Sequence, residues 1–469
     1  MPSLSASYAA AANALSVVEE ALEVTQNNVD NSTTPGYARQ TLELEAQPLD
    51  IAGGEAGGVA AGGLQDSRNV WLEDQVQSQT SLLGQYTAQA QTTSSIQAAF
   101  DVTGTGGVSA ALSGLFQDFS AWSETPSDST ARQNVLNGAQ NVAQSINTLS
   151  NSLSQSGSQI DSNIDNTVTQ INALAGQIQQ YNVECLDNAG TGTDPGAQAQ
   201  LYSALDSLSS LTNFSAVRQS DGTITILLSG GSPLVAETNQ YNIQAVPTAA
   251  GDAILDSNGN DITSQVASGQ LGGLLDVRNN TLASIVGTST SQGTLNQFAQ
   301  ALADTVNGIL ENGKTSSDPS TAAAGSALFT YTPGVPNEVA SSLAVSGIDE
   351  SQLAPVDQNG NANGNCNQLA ALANSTATLP SLGGMTLTGF YGQIAANAGS
   401  VNQNATANQT SQQETLAQVQ NLRDQASGVD LDQEAAQVLQ FQRAYQSVAE
   451  VLTVLNTLAD SLLTMMPEY

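Results

Sequence analysis

Histidine is absent from the 469 residues, and Lys314 is the single lysine. Without imidazole there is neither a Ser-His-Asp triad nor an H-E-x-x-H zinc peptidase. Cys185 and Cys366 are the two cysteines, and neither lies in a C-x-x-C pair. A structural zinc site therefore has no ligand set, and the two read as incidental thiols in preference to a disulfide. Charged residues make up 11% of the chain, against about 25% in ordinary soluble domains. Cations are scarcest: eight Lys plus Arg stand against 42 Asp plus Glu, a net charge of −34. Nucleic acid and anionic membrane surfaces are bound through clustered cations, so both are poor partners for this chain. No apolar run approaches the ~18 residues that span a bilayer. Residues 1–30 lack the cationic start and unbroken apolar core of a Sec-type leader.

Other catalytic and metal-binding arrangements fail on context. Lys314, in Asn312-Gly313-Lys314-Thr315, has the setting of a solvated loop residue and not of a Ser/Lys dyad. The run Asp256-Ser257-Asn258-Gly259-Asn260-Asp261 resembles a calcium loop only superficially, because its glycine arrives two places early and no glutamate follows at the twelfth position. It reads as an Asn-Gly turn, as does the segment 357–365. The glycine pairs at 53–54, 57–58 and 62–63 lack the Lys-Ser/Thr of a phosphate loop and read as a turn between extended pieces. The reading is of a non-enzyme with no cofactor or metal.

Helical periodicity is what the chain has in abundance. Leu4, Tyr8, Ala11, Leu15, Val18, Leu22, Thr25 and Val29 alternate in steps of four and three, a heptad repeat that ends at Asn31-Ser32-Thr33-Thr34-Pro35-Gly36. A second heptad helix closes the chain through Leu431, Val438, Phe441, Tyr445, Val448, Leu452, Leu455, Ala459 and Leu462, with Glu434 at an early position where an apolar residue is expected. Between them, helices are expected over 69–91, 129–182 and 274–310. A hairpin is expected at 217–228 around Asp221-Gly222, followed by a Gly/Pro/Asn/Ser-rich region at 313–384. The fold class is mainly α with smaller β parts: terminal heptad helices paired as a coiled coil (1–38 with 425–469), a helical-bundle rod (39–211, 269–313 and 390–424), a β-hairpin segment (212–268) and a small loop- and β-rich outer domain (314–389).

Ordering residues 4–29 costs about 1–2 kcal/mol of backbone entropy each, while a buried stripe side chain returns about 1.5–3 kcal/mol. Fewer than a third of these residues lie in the stripe, so the isolated helix is marginal and each chain end needs a partner helix. The other end of the same chain is the economical partner. Val451, Val454 and Leu458 lie off the main seam and call for further neighbours, and the ends are expected to order fully only when subunits stack. Tyr37 and Arg39 follow the helix stop as candidate contacts, and Arg443, between Phe441 and Tyr445, is a candidate for an inter-subunit or chaperone contact.

Asn27-Asn28-Val29-Asp30-Asn31 followed by Thr34-Pro35-Gly36-Tyr37-Ala38-Arg39-Gln40 resembles the N-terminal signature of the flagellar rod, hook and hook-associated axial proteins. At the far end, Ser427-Gly428-Val429-Asp430-Leu431-Asp432-Gln433-Glu434-Ala435 and Leu439-Gln440-Phe441-Gln442-Arg443-Ala444-Tyr445-Gln446 are similar to the closing motif of that family. Gly272-Gly273-Leu274-Leu275-Asp276-Val277-Arg278-Asn279 also looks like an internal segment of its hook-associated members. The resemblance implies a structural adaptor ring joining hook to filament. It implies a homo-oligomer with the hook protein below it and a second junction protein above, exported without a cleaved signal and located in the extracellular flagellum. It further implies a cytoplasmic export chaperone that covers the C-terminal helix. The seams Leu4, Tyr8, Leu15, Val18, Leu22, Val29 and Leu431, Val438, Phe441, Arg443, Tyr445, Val448, Leu452, Leu455, Leu462 would then carry assembly, beside the motif residues Asn27, Asn28, Asn31, Gly36, Tyr37, Arg39 and Gln40. The competing reading from composition is a secreted adhesin or surface-layer protein trimerised by its heptads.

Overall fold

A computed structural model of the chain describes residues 4–49, 57–100, 106–188, 190–249, 251–374 and 376–464. In chain order its elements are α1 (Leu4–Asp30), β1 (Gln40–Gln47), β2 (Gly58–Asp66), α2 (Val70–Ala99), α3 (Gly107–Glu124), α4 (Ser129–Asp187), α5 (Pro195–Leu211), β3 (Phe214–Arg218), β4 (Ile224–Leu228), β5 (Pro233–Ala236) and β6 (Asn239–Gln240). Then come β7 (Gln244–Thr248), β8 (Gly251–Leu255), α6 (Gly269–Asp276), a π-helical segment (Val277–Leu282), α7 (Ala283–Val286), α8 (Thr294–Glu311), β9 (Phe329–Thr330), α9 (Val339–Ser342), β10 (Ala344–Val345), α10 (Gly364–Ala371), α11 (Leu387–Ser427) and α12 (Leu431–Thr464). The fold is mostly helical with a few small antiparallel sheets. The chain forms two compact units, one of residues 1–80, 173–241 and 413–469 and the other of residues 81–172 and 242–412.

In the first unit α1 packs on α12 and on the β1–β2 ribbon. The ribbon pairs Gln40 with Asp66 at its base and Gln47 with Gly58 at its far end, with a bulge at Glu43/Leu44. The glycine pair 53–54 lies outside the described residues. β3 and β4 form the hairpin expected around Asp221-Gly222, and β5 and β6 extend it to four strands. α5 opens with Asp194 accepting the Ala197 N–H at 2.7 Å and with Pro195 in its first turn, a capped start that needs no apolar periodicity.

The second unit is built on the apolar stripe of α4. Val135, Val142, Ile146, Leu153, Ile160, Ile164 and Ile171 are all buried. α3 packs its Leu112, Phe119 and Trp122 face in the core beside α10, and Phe100, Tyr391 and Phe298 form a tilted aromatic cluster. The continuous helix expected over 274–310 is corrected by the structure. It breaks at Gly287, whose φ of 81° suits glycine, and a Cβ on Gly287 or Gly293 would strike the other's backbone.

Asparagines, one buried and three half-buried, join helical segments to strands or the chain beside them. The Asn182 amide accepts the Ile224 N–H at 2.8 Å and donates to the Ile224 carbonyl at 2.7 Å, reproducing a β-ladder pair with a side chain. Asn172 does the same for Ile243, Asn279 for Asp252, and Asn307 for Phe329. A chain poor in charge thus satisfies buried backbone groups with neutral amides, which avoid the desolvation cost of an ion.

Candidate assembly interface

The N- and C-terminal motifs meet at one buried junction in the first unit. Four residues of α1 are fully buried, Val17, Ala21, Thr25 and Asn28. Of the four only Thr25 belongs to the heptad, so the seam against the rest of the chain runs one residue off the expected stripe. Leu4, Leu15, Val18 and Leu22 are half-buried, while Tyr8 and Val29 are exposed. On α12 the one fully buried residue whose side chain is described is Glu434; Val438, Phe441, Val448, Leu452 and Leu455 are half-buried, and Leu431, Arg443, Tyr445 and Leu462 are exposed.

Asn28 sits at the centre, and its amide is fully used. Nδ2 donates to the Gln40 carbonyl at 2.8 Å and to Glu434 Oε2 at 3.1 Å. Oδ1 accepts from the Gln40 N–H and from the Tyr37 hydroxyl, both at 2.9 Å. The other Glu434 oxygen accepts from Arg39 Nε at 2.6 Å, with Glu434 wholly covered and Arg39 17% exposed. The Arg39 N–H donates to the Ser427 carbonyl, and Ser67 donates to the Arg39 carbonyl. Burial, with the Glu434 charge adding to it, pushes the Tyr37 hydroxyl up to about 12, so it stays a neutral donor at any physiological pH. That hydroxyl also lies 3.0 Å from Asn27 Oδ1, while Asn31 donates to both oxygens of Asn27 and accepts from Thr34.

Three further motif residues have local causes. Gly36 has φ 76°, and a Cβ there would collide with the Ala199 carbonyl and Ser203 nitrogen of α5. A Cβ on Gly428 would strike the Asp424 carbonyl. Asp430 caps α12 by accepting the Asp432 and Gln433 N–H groups at 2.9 and 3.2 Å.

A second cluster, not anticipated from the sequence, lies in the same unit. The Arg68 guanidinium stacks over the Tyr202 ring at 3.6 Å, pairs with Glu73 at 2.9 Å and donates to the Gly36 carbonyl at 2.6 Å. Arg423 approaches Asp206 at 3.6 Å and Glu73 at 3.9 Å. Burial, then the Glu73 charge, pushes the Asp206 carboxyl up to about 6. The scarcity of arginine was the available signal: four of the seven, Arg39, Arg68, Arg218 and Arg423, serve this unit through buried or half-buried pairs.

An open groove of about 800 Å3 beside the junction is lined by Asn27, Tyr37, Tyr181, Glu184 and Asp194 among others, and among the described residues that line it none is cationic, so a phosphate-bearing ligand meets no counter-charge from them. The carboxylates of the two Asn-Gly turns are taken up by their own loops: Asp256 accepts from Asn258 and Asn260, and Asp357 from Asn359 and Asn361. Among the described residues no group of three or more potential ligands could hold a metal, and no helix is long and apolar enough to cross a membrane.

Comparison with known proteins gives a consistent result. The sequence family described as the flagellar hook-associated protein FlgK helical domain matches residues 93–329, and the C-terminal family of flagellar basal body rod FlgEFG proteins matches residues 423–465. Flagellar hook-associated protein 1 of Bacillus subtilis is 24% identical over 507 aligned positions, covering 97% of this chain and 96% of the relative. That of Escherichia coli is 22% identical over 546, covering 97% and 98%. The flagellar hook junction protein FlgK from Burkholderia pseudomallei has the same fold, with a TM-score of 0.63 and 15% identity over 75% of this chain and 99% of that one. These matches leave the adhesin reading without support.

Proposed function

The chain belongs to the flagellar hook-associated protein FlgK family, a structural component of the hook–filament junction, and from that premise we propose that it forms a ring of copies there through its paired terminal helices. In this reading the hook protein lies below, a second junction protein lies above, and the chain has no catalytic role. Residues 1–38 with 425–469 are the part that enters the shared helical packing, and the remaining segments 39–211, 212–268, 269–313, 314–389 and 390–424 form the body outside it. A cytoplasmic chaperone covers α12 before export, and the chain leaves the cell without a cleaved signal.

The observation that carries this reading is the outer face of α12, where Val451, Val454, Leu458 and Leu462 are each at least half exposed. Each such side chain gains about 1.5–3 kcal/mol on burial, and they flank the half-buried stripe of Val448, Leu452 and Leu455. A mixture with purified hooks tests the proposal. The full chain adds one terminal layer and stops, and deletion of residues 1–31 abolishes that layer. Unlimited growth, or unchanged binding after the deletion, would refute it.

A further inference from the structure

Arg443 is exposed and has no side-chain partner among the described residues, whereas every other arginine makes at least one side-chain contact. Glu19 and Glu23 on α1 are likewise exposed and unpaired. Asn28 and Glu434 touch at 3.1 Å, and contact between α1 and α12 continues away from that point, so the two helices are antiparallel. Glu19 is nine residues back from Asn28 and Arg443 nine residues on from Glu434, so both stand about 13 Å from the junction, at the same height. At about 100° per residue, nine residues is about half a rotation. Arg443 therefore points away from α1, and Glu19 points away from α12. The match in height recurs further along, where Tyr8 on α1, 45% exposed, is level with Val454 on α12, 59% exposed.

At the level of Arg443 the outer face of α12 is complementary in charge to Glu19 and Glu23, and at the level of Val454 it is complementary in apolar pattern to Tyr8, with the exposed Glu450 lying between those levels on the α12 face. One chain cannot bring the two faces together because they face opposite ways. We propose that copies of this chain associate side by side, the outer face of α12 of one against the outer face of α1 of the next, at the same level. Arg443 enters between Glu19 and Glu23 of the neighbour, and Tyr8 covers Val454 and Leu458. The contact is heterologous, so it repeats around a ring. In a chain of net charge −34, the cation also offsets repulsion between copies. The inference rests on the ring reading above and adds the residues that register one copy on the next.

A paired-cysteine variant, Tyr8→Cys with Val454→Cys in a background of Cys185→Ser and Cys366→Ser, tests it by oxidation on purified hooks and in concentrated solution. A ladder of covalent dimers, trimers and higher species is expected on hooks. Binding to hooks without a ladder overturns the contact while leaving the junction reading intact. A ladder in solution without hook binding supports the contact and defeats the junction reading, and no ladder in either setting overturns the contact. Arg443→Glu should lower assembly about tenfold, and Glu19→Lys with Glu23→Lys in the same chain should restore it. Failure of that restoration also counts against the contact.

Discussion

Removing the Glu434 carboxylate should uncouple the two chain ends. In Glu434→Ala the Arg39 guanidinium, only 17% exposed, loses a 2.6 Å partner, and one Asn28 N–H loses its acceptor. Breaking a buried ion pair from one side costs about 3–5 kcal/mol, and an orphaned buried N–H about 1–3 kcal/mol. Because Arg39 keeps some contact with water, the expected loss is about 3 kcal/mol, a factor of roughly 150 in the local opening equilibrium. Arg39→Ala should cost about as much, since it leaves a wholly covered carboxylate. The double variant should cost about 2 kcal/mol less than the sum of the two single losses, because each removes what the other leaves stranded. Hydrogen exchange resolved by mass spectrometry reads the effect locally, in the amides of α1 and the first turns of α12, without requiring the whole chain to unfold in one step. Additivity within about 0.5 kcal/mol, or unchanged protection in Glu434→Ala, would refute the account of the junction.

Gly36→Ala combines a positive φ with a backbone collision against α5, and should destabilise the first unit by about 3 kcal/mol or more, read as a lower unfolding midpoint in urea. Asp206 gives the first unit a pH dependence. Its folded pKa of about 6 lies above the ordinary aspartate value of 3.8, so the stability associated with its neutral form is complete below pH 3.8 and is lost as pH rises through about 6. That rise is worth about 3 kcal/mol; since a third of the side chain is exposed, about 1–2 kcal/mol is expected to survive solvent screening. Asp206→Asn should therefore match wild type at pH 4 and exceed it at pH 7.5 in thermal melts, and a less stable variant at pH 7.5 would contradict the assignment. Asn182→Ala leaves the Ile224 N–H and carbonyl without their amide partner and should cost about 2–3 kcal/mol, seen as faster exchange across β3 and β4.

The long helices were legible because their apolar residues recur with little interruption, as at Ile146, Leu153, Ile160 and Ile164. The face that α1 turns inward was not. The heptad passes through Val18, Leu22, Thr25 and Val29, but of these only Thr25 is fully buried; the other fully buried positions, Val17, Ala21 and Asn28, lie one residue off it, and Asn28 is held by hydrogen bonds that no hydropathy pattern registers. Glu434 was visible as a polar interruption of the heptad inside the closing motif, but its role was not, because its partners Arg39 and Asn28 lie 395 and 406 positions away. The break at Gly287 was hidden because apolar residues continue on both sides of it. The charge cluster of Arg68, Glu73, Asp206 and Arg423 draws on segments distant in the sequence, which spacing within a motif cannot reveal.

Hydrogen exchange of α12 before and after addition to purified hooks addresses the central claim most directly. Amides around Val451, Val454 and Leu458 should exchange readily in the free protein and become strongly protected in the assembled layer. Strong protection already present in the dilute free chain, with no further change on assembly, would mean that the terminal helices are complete without neighbours and would contradict the account.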